Sequence, residues 1–175
     1  MDIFVIEIID ADSVHQKLLL EFKKKEISNP KKLNQHCLSY LMVDRILREF
    51  YKIDEREVIF EGNKPKLKSG AKHLSISHSG DYIALAFSDF DCGIDIEKNK
   101  PRDFKEISER MKFACNTLEE FYSEWTFFEA KYKLGSTPRA VKTYRLGDYT
   151  LTAVSENEKE NFEIYIQSSQ YFPPQ

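Results

Sequence analysis

The chain has 175 residues, 41% of them hydrophobic and 13% aromatic, with a formal net charge of −3. That length buries one proper core but does not argue for several domains, the composition excludes a disordered polymer, and the slight acidity argues against a general nucleic-acid binder. No run reaches membrane length, acids occupy Met1 to Glu7 where a signal peptide needs bases, and Cys37, Cys92 and Cys115 form no CxxC, so we expect a cytoplasmic protein with reduced thiols, no zinc site and no membrane partner.

In chain order, Ile3 to Ile9 reads as a first apolar strand. Asp10 or Asp12 then caps a helix through about Ile27, striped by Val14, Leu18, Leu19 and Phe22. Lys23-Lys24-Lys25 closes it, where cations suit the negative end of the macrodipole, and Asn29-Pro30 breaks it. A second helix runs from near Lys32 to Tyr51 on Leu33, Cys37, Leu38, Leu41, Met42 and Leu47. Val58-Ile59-Phe60 is a short strand ended by Gly62-Asn63-Lys64-Pro65, and Lys66 to Lys72 is a basic loop. Leu74 and Ile76 alternate with serines as in a half-buried strand, which leaves His78 where the strand ends. Taken alone, that histidine reads as an exposed, locally bonded residue, although its imidazole can also donate to a phosphate oxygen.

Tyr82 to Phe87, the turn Ser88 to Asp91 and the stretch Gly93 to Glu97 read as a β-hairpin. Alternation sends Ile94 and Ile96 to one face and Asp95 and Glu97 to the other. Two carboxylates on one strand face repel unless a cation or a proton lies between them, and a hard ion such as Mg²⁺ would relieve that. Alone, the pentapeptide reads first as a strand with a dry isoleucine face and a solvated acidic one. After the loop Lys98 to Pro101, Asp103 caps a helix through about Cys115. Thr117 and Glu120 form a capping box for a helix that ends at Gly135. On it, Phe121, Trp125, Phe128 and Tyr132 predict a core-facing aromatic stripe. Glu129 and Lys133 project from one side, in isolation an ordinary surface ion pair. Ala140 to Leu146, Tyr149 to Val154 and Phe162 to Ile166 alternate like antiparallel strands, with Asn157 to Asn161 as a hairpin loop. Tyr171 to Gln175 forms a tail.

The order of these motifs is more specific than any one of them. Lys64-Pro65, then Ser75-Ile76-Ser77-His78-Ser79-Gly80, then Gly93-Ile94-Asp95-Ile96-Glu97, then Trp125-Thr126 with Glu129-Ala130 and Lys133, resembles the Sfp-type 4′-phosphopantetheinyl transferases over roughly Gly62 to Gly135. The resemblance implies an α+β fold of two similar halves, 1–88 and 89–175. Each half has a helix packed on antiparallel strands, and the active site lies in the cleft between them. It implies transfer of the phosphopantetheine arm of coenzyme A to a serine of an acyl or peptidyl carrier protein, with Mg²⁺ (or Mn²⁺) as the metal and 3′,5′-ADP as the leaving group. Asp95, Glu97 and Glu129 match the metal ligands. His78 matches a phosphate contact, and Lys133 the lysine beside the pyrophosphate. Glu129, Lys133 and His78 make up the catalytic set. Lys64, Pro65 and Ser77 match the nucleotide pocket, and Lys31 and Lys32, with Gln35, lie near where relatives place cations for the 3′-phosphate.

Two departures stand out. Phe128 occupies a position where relatives usually carry lysine, and Asn116, with Glu119 and Glu120 slightly beyond, falls near the residue proposed as base. Both features suit an alternative, a non-catalytic coenzyme A-binding module of the same fold. Lys105, Arg110 and Lys112, with Met111 beside them, form a candidate docking patch for an acidic carrier protein, Lys105 and Lys112 sharing a helical face. We expect a monomer that binds no nucleic acid.

Overall fold

The computed structural model describes residues 1–8, 29–62 and 64–168. The expected first helix up to Ile27 and the tail Tyr171 to Gln175 lie outside them. The described residues form an α+β arrangement of strands and helices. Strand β1 (Asp2–Glu7) lies inside a four-stranded sheet and is apolar on both faces because both are covered. Phe4 and Ile6 face one core, Ile3 and Val5 another. Helix α1 (Pro30–Glu49) covers the first face. It starts where the sequence suggested a break. Asn29 Oδ1 accepts from the Lys31 and Lys32 amides, and Pro30, with φ already helical and no N–H to satisfy, fills the first turn. Leu38, Met42, Val43, Ile46 and Leu47 then pack on Phe4 and on Leu74, Ile83, Leu85 and Phe87 of the sheet. Each such side chain contributes about 1.5–3 kcal/mol on full burial.

Strands β2 (Val58–Glu61) and β3 (Lys64–Leu67) pair only with each other, so Lys64-Pro65 sits in a strand and the basic loop starts later than expected. Strands β4 (His73–Ser79) and β5 (Tyr82–Ser88) form a hairpin, with β5 also antiparallel to β1. Their register sends Leu74 and Ile76 toward α1 and Ser75 and Ser77, with Ala84 and Ala86, toward the opposite face.

A three-stranded sheet packs on that opposite face. Strand β6 (Cys92–Lys98) and strand β7 (Ala140–Leu146) flank β8 (Tyr149–Ser155). Ile94, Ile96, Leu151 and Ala153 meet Ile3, Val5, Ala84 and Ala86. A short helix α2 (Lys105–Met111) precedes helix α3 (Leu118–Leu134), which covers the outer face of this second sheet. The capping box at Thr117 and Glu120 and the left-handed Gly135 bound α3 where the sequence puts them. Its contact face is Thr126, Ala130 and Leu134, with the Thr126 hydroxyl 2.8 Å from that of Thr152.

Several expectations are corrected. Strands β5 and β6 are not a hairpin. Both edges of β5 are taken, by β4 and β1, so the chain crosses through Asp89 to Asp91 into the other sheet. The last strand, β9 (Glu163–Ser168), does not extend the C-terminal meander, since β8 already has two neighbours; it lies parallel to β1. Helix α2 ends at Met111, where Lys112 turns left-handed at φ 58°, so Lys105 and Lys112 share no helical face. The aromatic stripe is only partly core: Phe121 is buried, but Phe128 is 39% and Tyr132 74% exposed.

Gly93 allows α3 to close on β6. A Cβ there would lie 2.0 Å from the Ala130 carbonyl oxygen and 2.9 Å from the Leu134 nitrogen, both rigid helix backbone. Gly93→Ala should therefore push α3 off the sheet and cost about 2–3 kcal/mol, in the range of forced overpacking. A urea midpoint equal to that of the native protein would show the approach to be looser than this.

Candidate functional site

The free edge of β6 faces the free edge of β4, and the two are joined by side chains in place of a backbone ladder. The amides of Ile94, Ile96 and Lys98 donate to the hydroxyls of Ser75, Ser77 and Ser79 at 3.1, 3.3 and 3.1 Å. Ser77 in turn donates to Asp95 Oδ1 and Ser79 to Glu97 Oε2, each at 2.7 Å. Alternation on β6 turns Asp95 and Glu97 toward α3 while Ile94 and Ile96 face the core, as the sequence predicted.

Helix α3 brings Lys133 to the same point. Its ammonium lies 2.8 Å from Asp95 Oδ1 and 3.0 Å from the Ile94 carbonyl. Asp95 is 4% exposed, and its second oxygen, Oδ2, is buried with no hydrogen-bond partner among the described residues. Glu97 is held above the usual carboxylate range mainly by burial, with the Ser79 hydrogen bond opposing and Asp95 reinforcing the shift. Glu129 is raised too, by burial first and the Asp95 charge second. Both carboxylates therefore sense Asp95, the electrostatic signature of acids crowded without enough countercharge.

Residues on either side of the seam bound a cleft of about 400 Å³, with His36, Ser39 and Tyr40 from α1, Phe60 and Pro65 from β2 and β3, and Ser77, His78, Asp95 and Lys133 at its floor and far wall. The His78 side chain is open at its edge. Even so, the protein around it removes enough solvent to lower its pKa, and Lys133 and Lys32 push the same way. Burial pushes the Tyr40 phenol up to about 12, so it remains a neutral donor. Sequence reasoning missed this wall: His36, Ser39 and Tyr40 lie on the helix face beside the buried stripe, and nothing in their spacing separates a cleft wall from surface.

The other expected residues are partly gathered. Lys31 and Lys32 stand exposed in the first turn of α1, Lys31 reaching Asp81 at 3.5 Å. Gln35 is buried and donates to the Gly80 carbonyl, so it fixes the β4–β5 turn. The Lys64 amine is drawn to Asp91 at 2.8 Å and to the Leu134 carbonyl at 3.3 Å, while Pro65 lines the main cleft. Asn116 and Glu120 are committed to the start of α3: Glu120 accepts from the Asn116 and Thr117 amides, which lower its pKa. Glu119 pairs with Arg145 at 3.0 Å. At 1.5 Å per residue, Glu120 lies about 14 Å along the helix from Glu129. Phe128 leans on Phe113 and Trp125.

The donor set suits a hard divalent ion. It offers carboxylate oxygens, one of them buried and unpartnered, around a surplus of negative charge. Among the described residues, however, no three acidic, histidine or cysteine side chains are already gathered closely enough to hold an ion. Lys133 supplies the positive charge on Asp95.

No family model matches the chain. It is similar to the curated 4′-phosphopantetheinyl transferase psf-1 of Bacillus pumilus, 28% identical over an alignment that covers 86% of this chain and 74% of that protein. The likeness seen in the motifs therefore extends over most of the sequence, and the resemblance to the Sfp-type transferases holds. It supports an enzyme of the transferase type. Among the described residues no helix is long and apolar enough to cross a membrane.

The raised pKa of Glu97 gives a stability test. A carboxyl whose folded pKa exceeds its ordinary value of 4.5 is harmless while protonated in both states, and costs stability as pH rises through the folded value. Without divalent metal, Glu97→Gln should gain on the native protein between pH 4 and pH 7. Urea unfolding at the two pH values checks this; a stability difference that does not change with pH would mean that Glu97 is solvated.

Proposed function

We propose that this chain transfers the 4′-phosphopantetheine arm of coenzyme A to a serine of an apo acyl or peptidyl carrier protein, with Mg²⁺ as cofactor and 3′,5′-ADP released. The observation that carries the proposal is Asp95: one oxygen is held by Ser77 and Lys133, and the other is buried, without a hydrogen-bond partner among the described residues, in a cleft shared with His78. Similarity to a phosphopantetheinyl transferase supports the same reading.

The carrier serine attacks the β-phosphorus and negative charge grows on the phosphate oxygens, so fixed cations and donors stabilise the transition state. Asp95, Glu97 and Glu129 would hold the Mg²⁺, which supplies Lewis-acid stabilisation of the pyrophosphate when bound. Lys133 sits one turn beyond Glu129 and carries its charge to the pyrophosphate. His78, kept neutral by its surroundings, donates from one ring nitrogen to a phosphate oxygen. Glu129, beside Asp95 and Lys133, is better placed as proton acceptor than Glu119 or Glu120, each of which has one oxygen held elsewhere. Lys64, Pro65 and Ser77 border the nucleotide. Lys31 and Lys32, at the positive end of α1, attract the 3′-phosphate. We read the fold as two helix-on-sheet halves, 1–88 and 89–175, meeting at the serine seam, with β9 returning to complete the first sheet. The protein acts in the cytoplasm as a monomer, and the exposed Lys105, Arg110 and Lys112, with Met111, receive the acidic carrier.

A second reading, a coenzyme A-binding module without turnover, draws on the hydrophobic Phe128 at the usual lysine position. Incubation with coenzyme A, Mg²⁺ and the organism's own apo-carrier proteins, read by intact mass, separates the two. Modification of a carrier is expected, and His78→Ala should slow it on the order of 10²-fold, as for loss of one preorganised donor. Coenzyme A binding with no mass gain on any carrier would establish the second reading.

A further inference from the structure

The three seam serines share one geometry but differ in what lies beyond it. Each hydroxyl accepts the amide nineteen residues ahead: Ser75 from Ile94, Ser77 from Ile96, Ser79 from Lys98. A hydroxyl whose acceptor side is taken by an N–H has its own proton left to direct elsewhere. That proton is aimed at the side chain eighteen residues ahead. For Ser77 this is Asp95 and for Ser79 it is Glu97, both at 2.7 Å. For Ser75 the corresponding residue is Gly93, which has no side chain, so that serine joins the two sheets and does nothing more.

We propose that Ser77 and Ser79 are positioning residues for the acidic pair: the seam fixes each hydroxyl from the β4 side and uses its proton to set the rotamer of one carboxylate. The inference rests on the metal role assigned above to Asp95 and Glu97. Ser79 is the sharper case. Asp95 Oδ1 also has the Lys133 ammonium, whereas besides Ser79 the Glu97 side chain has only a neutral donor among the described residues, the Trp125 indole. Threonine at 79 keeps the hydroxyl; alanine removes it.

Ser75 provides an internal control, because Ser75→Ala breaks the same kind of seam bond and leaves an equivalent β6 amide unsatisfied without touching a carboxylate. The experiment is a Mn²⁺ titration of the full chain with saturating coenzyme A, free Mn²⁺ being counted by electron paramagnetic resonance and the metal bound by coenzyme A alone subtracted. Thermal midpoints of every variant are measured beside it. Ser75→Ala and Ser79→Ala should both lower the midpoint. Of these two, Ser79→Ala alone should weaken Mn²⁺ binding, by about tenfold as for loss of one hydrogen bond to a charged group, with Ser79→Thr restoring most of it. Ser77→Ala should weaken it less, because Lys133 still holds Asp95. Equal Mn²⁺ affinities in Ser75→Ala and Ser79→Ala would overturn the inference and leave the metal role standing. A native protein that binds no Mn²⁺ would remove that role, and the inference with it.

Discussion

An edge strand with unpaired amides must pair, be covered or be exposed to water. Here β6 presents three amides toward β4, and three serine hydroxyls satisfy them. A direct backbone ladder would have drawn β4 and β6 to about 4.8 Å and merged the sheets into one. A serine side chain between the strands holds them further apart and lets each sheet keep its own face-to-face packing. The gap so created is where the acidic residues, His78 and Lys133 meet. The hydrogen bonding that joins the sheets therefore also makes room for a ligand between them.

The charge balance follows from the same contact. Asp95 is buried because the sheets and α3 close over it, and a buried polar group needs hydrogen-bond partners. Lys133 and Ser77 meet that requirement on one oxygen and leave the other bare. The cost is spread over the neighbours: Glu97 and Glu129 both rise in pKa partly on account of Asp95. The site is thus short of positive charge as it stands.

Much of this was legible in the sequence. Alternation assigned the faces of Gly93 to Glu97, and the capping box and Gly135 fixed the limits of α3, because these are local signals written within a few residues. The seam serines were legible as alternating positions but not as partners of β6, since a hydroxyl that joins two sheets looks the same in sequence as one that faces water. Strand pairing was the main failure. Nothing within Tyr82 to Phe87 says that both its edges are taken, and β9 finds β1 across almost the whole chain. The aromatic stripe misled for a related reason: Thr126 and Ala130, small residues, let α3 approach the sheet, and Phe128 and Tyr132 are left at the surface. His36 and Tyr40 became part of the site only through the approach of α1 to β4.

The parallel docking of β9 against β1 has a consequence for biogenesis. The sheet that carries His78 cannot be completed until residues 163–168 have left the ribosome, so β1 waits for β9. Until then β1 has an open, apolar edge, the kind of surface that recruits strands from other molecules. Interrupted synthesis or proteolysis ahead of residue 163 would leave the acidic strand and its helix intact in sequence yet strand the nascent product in an aggregation-prone form.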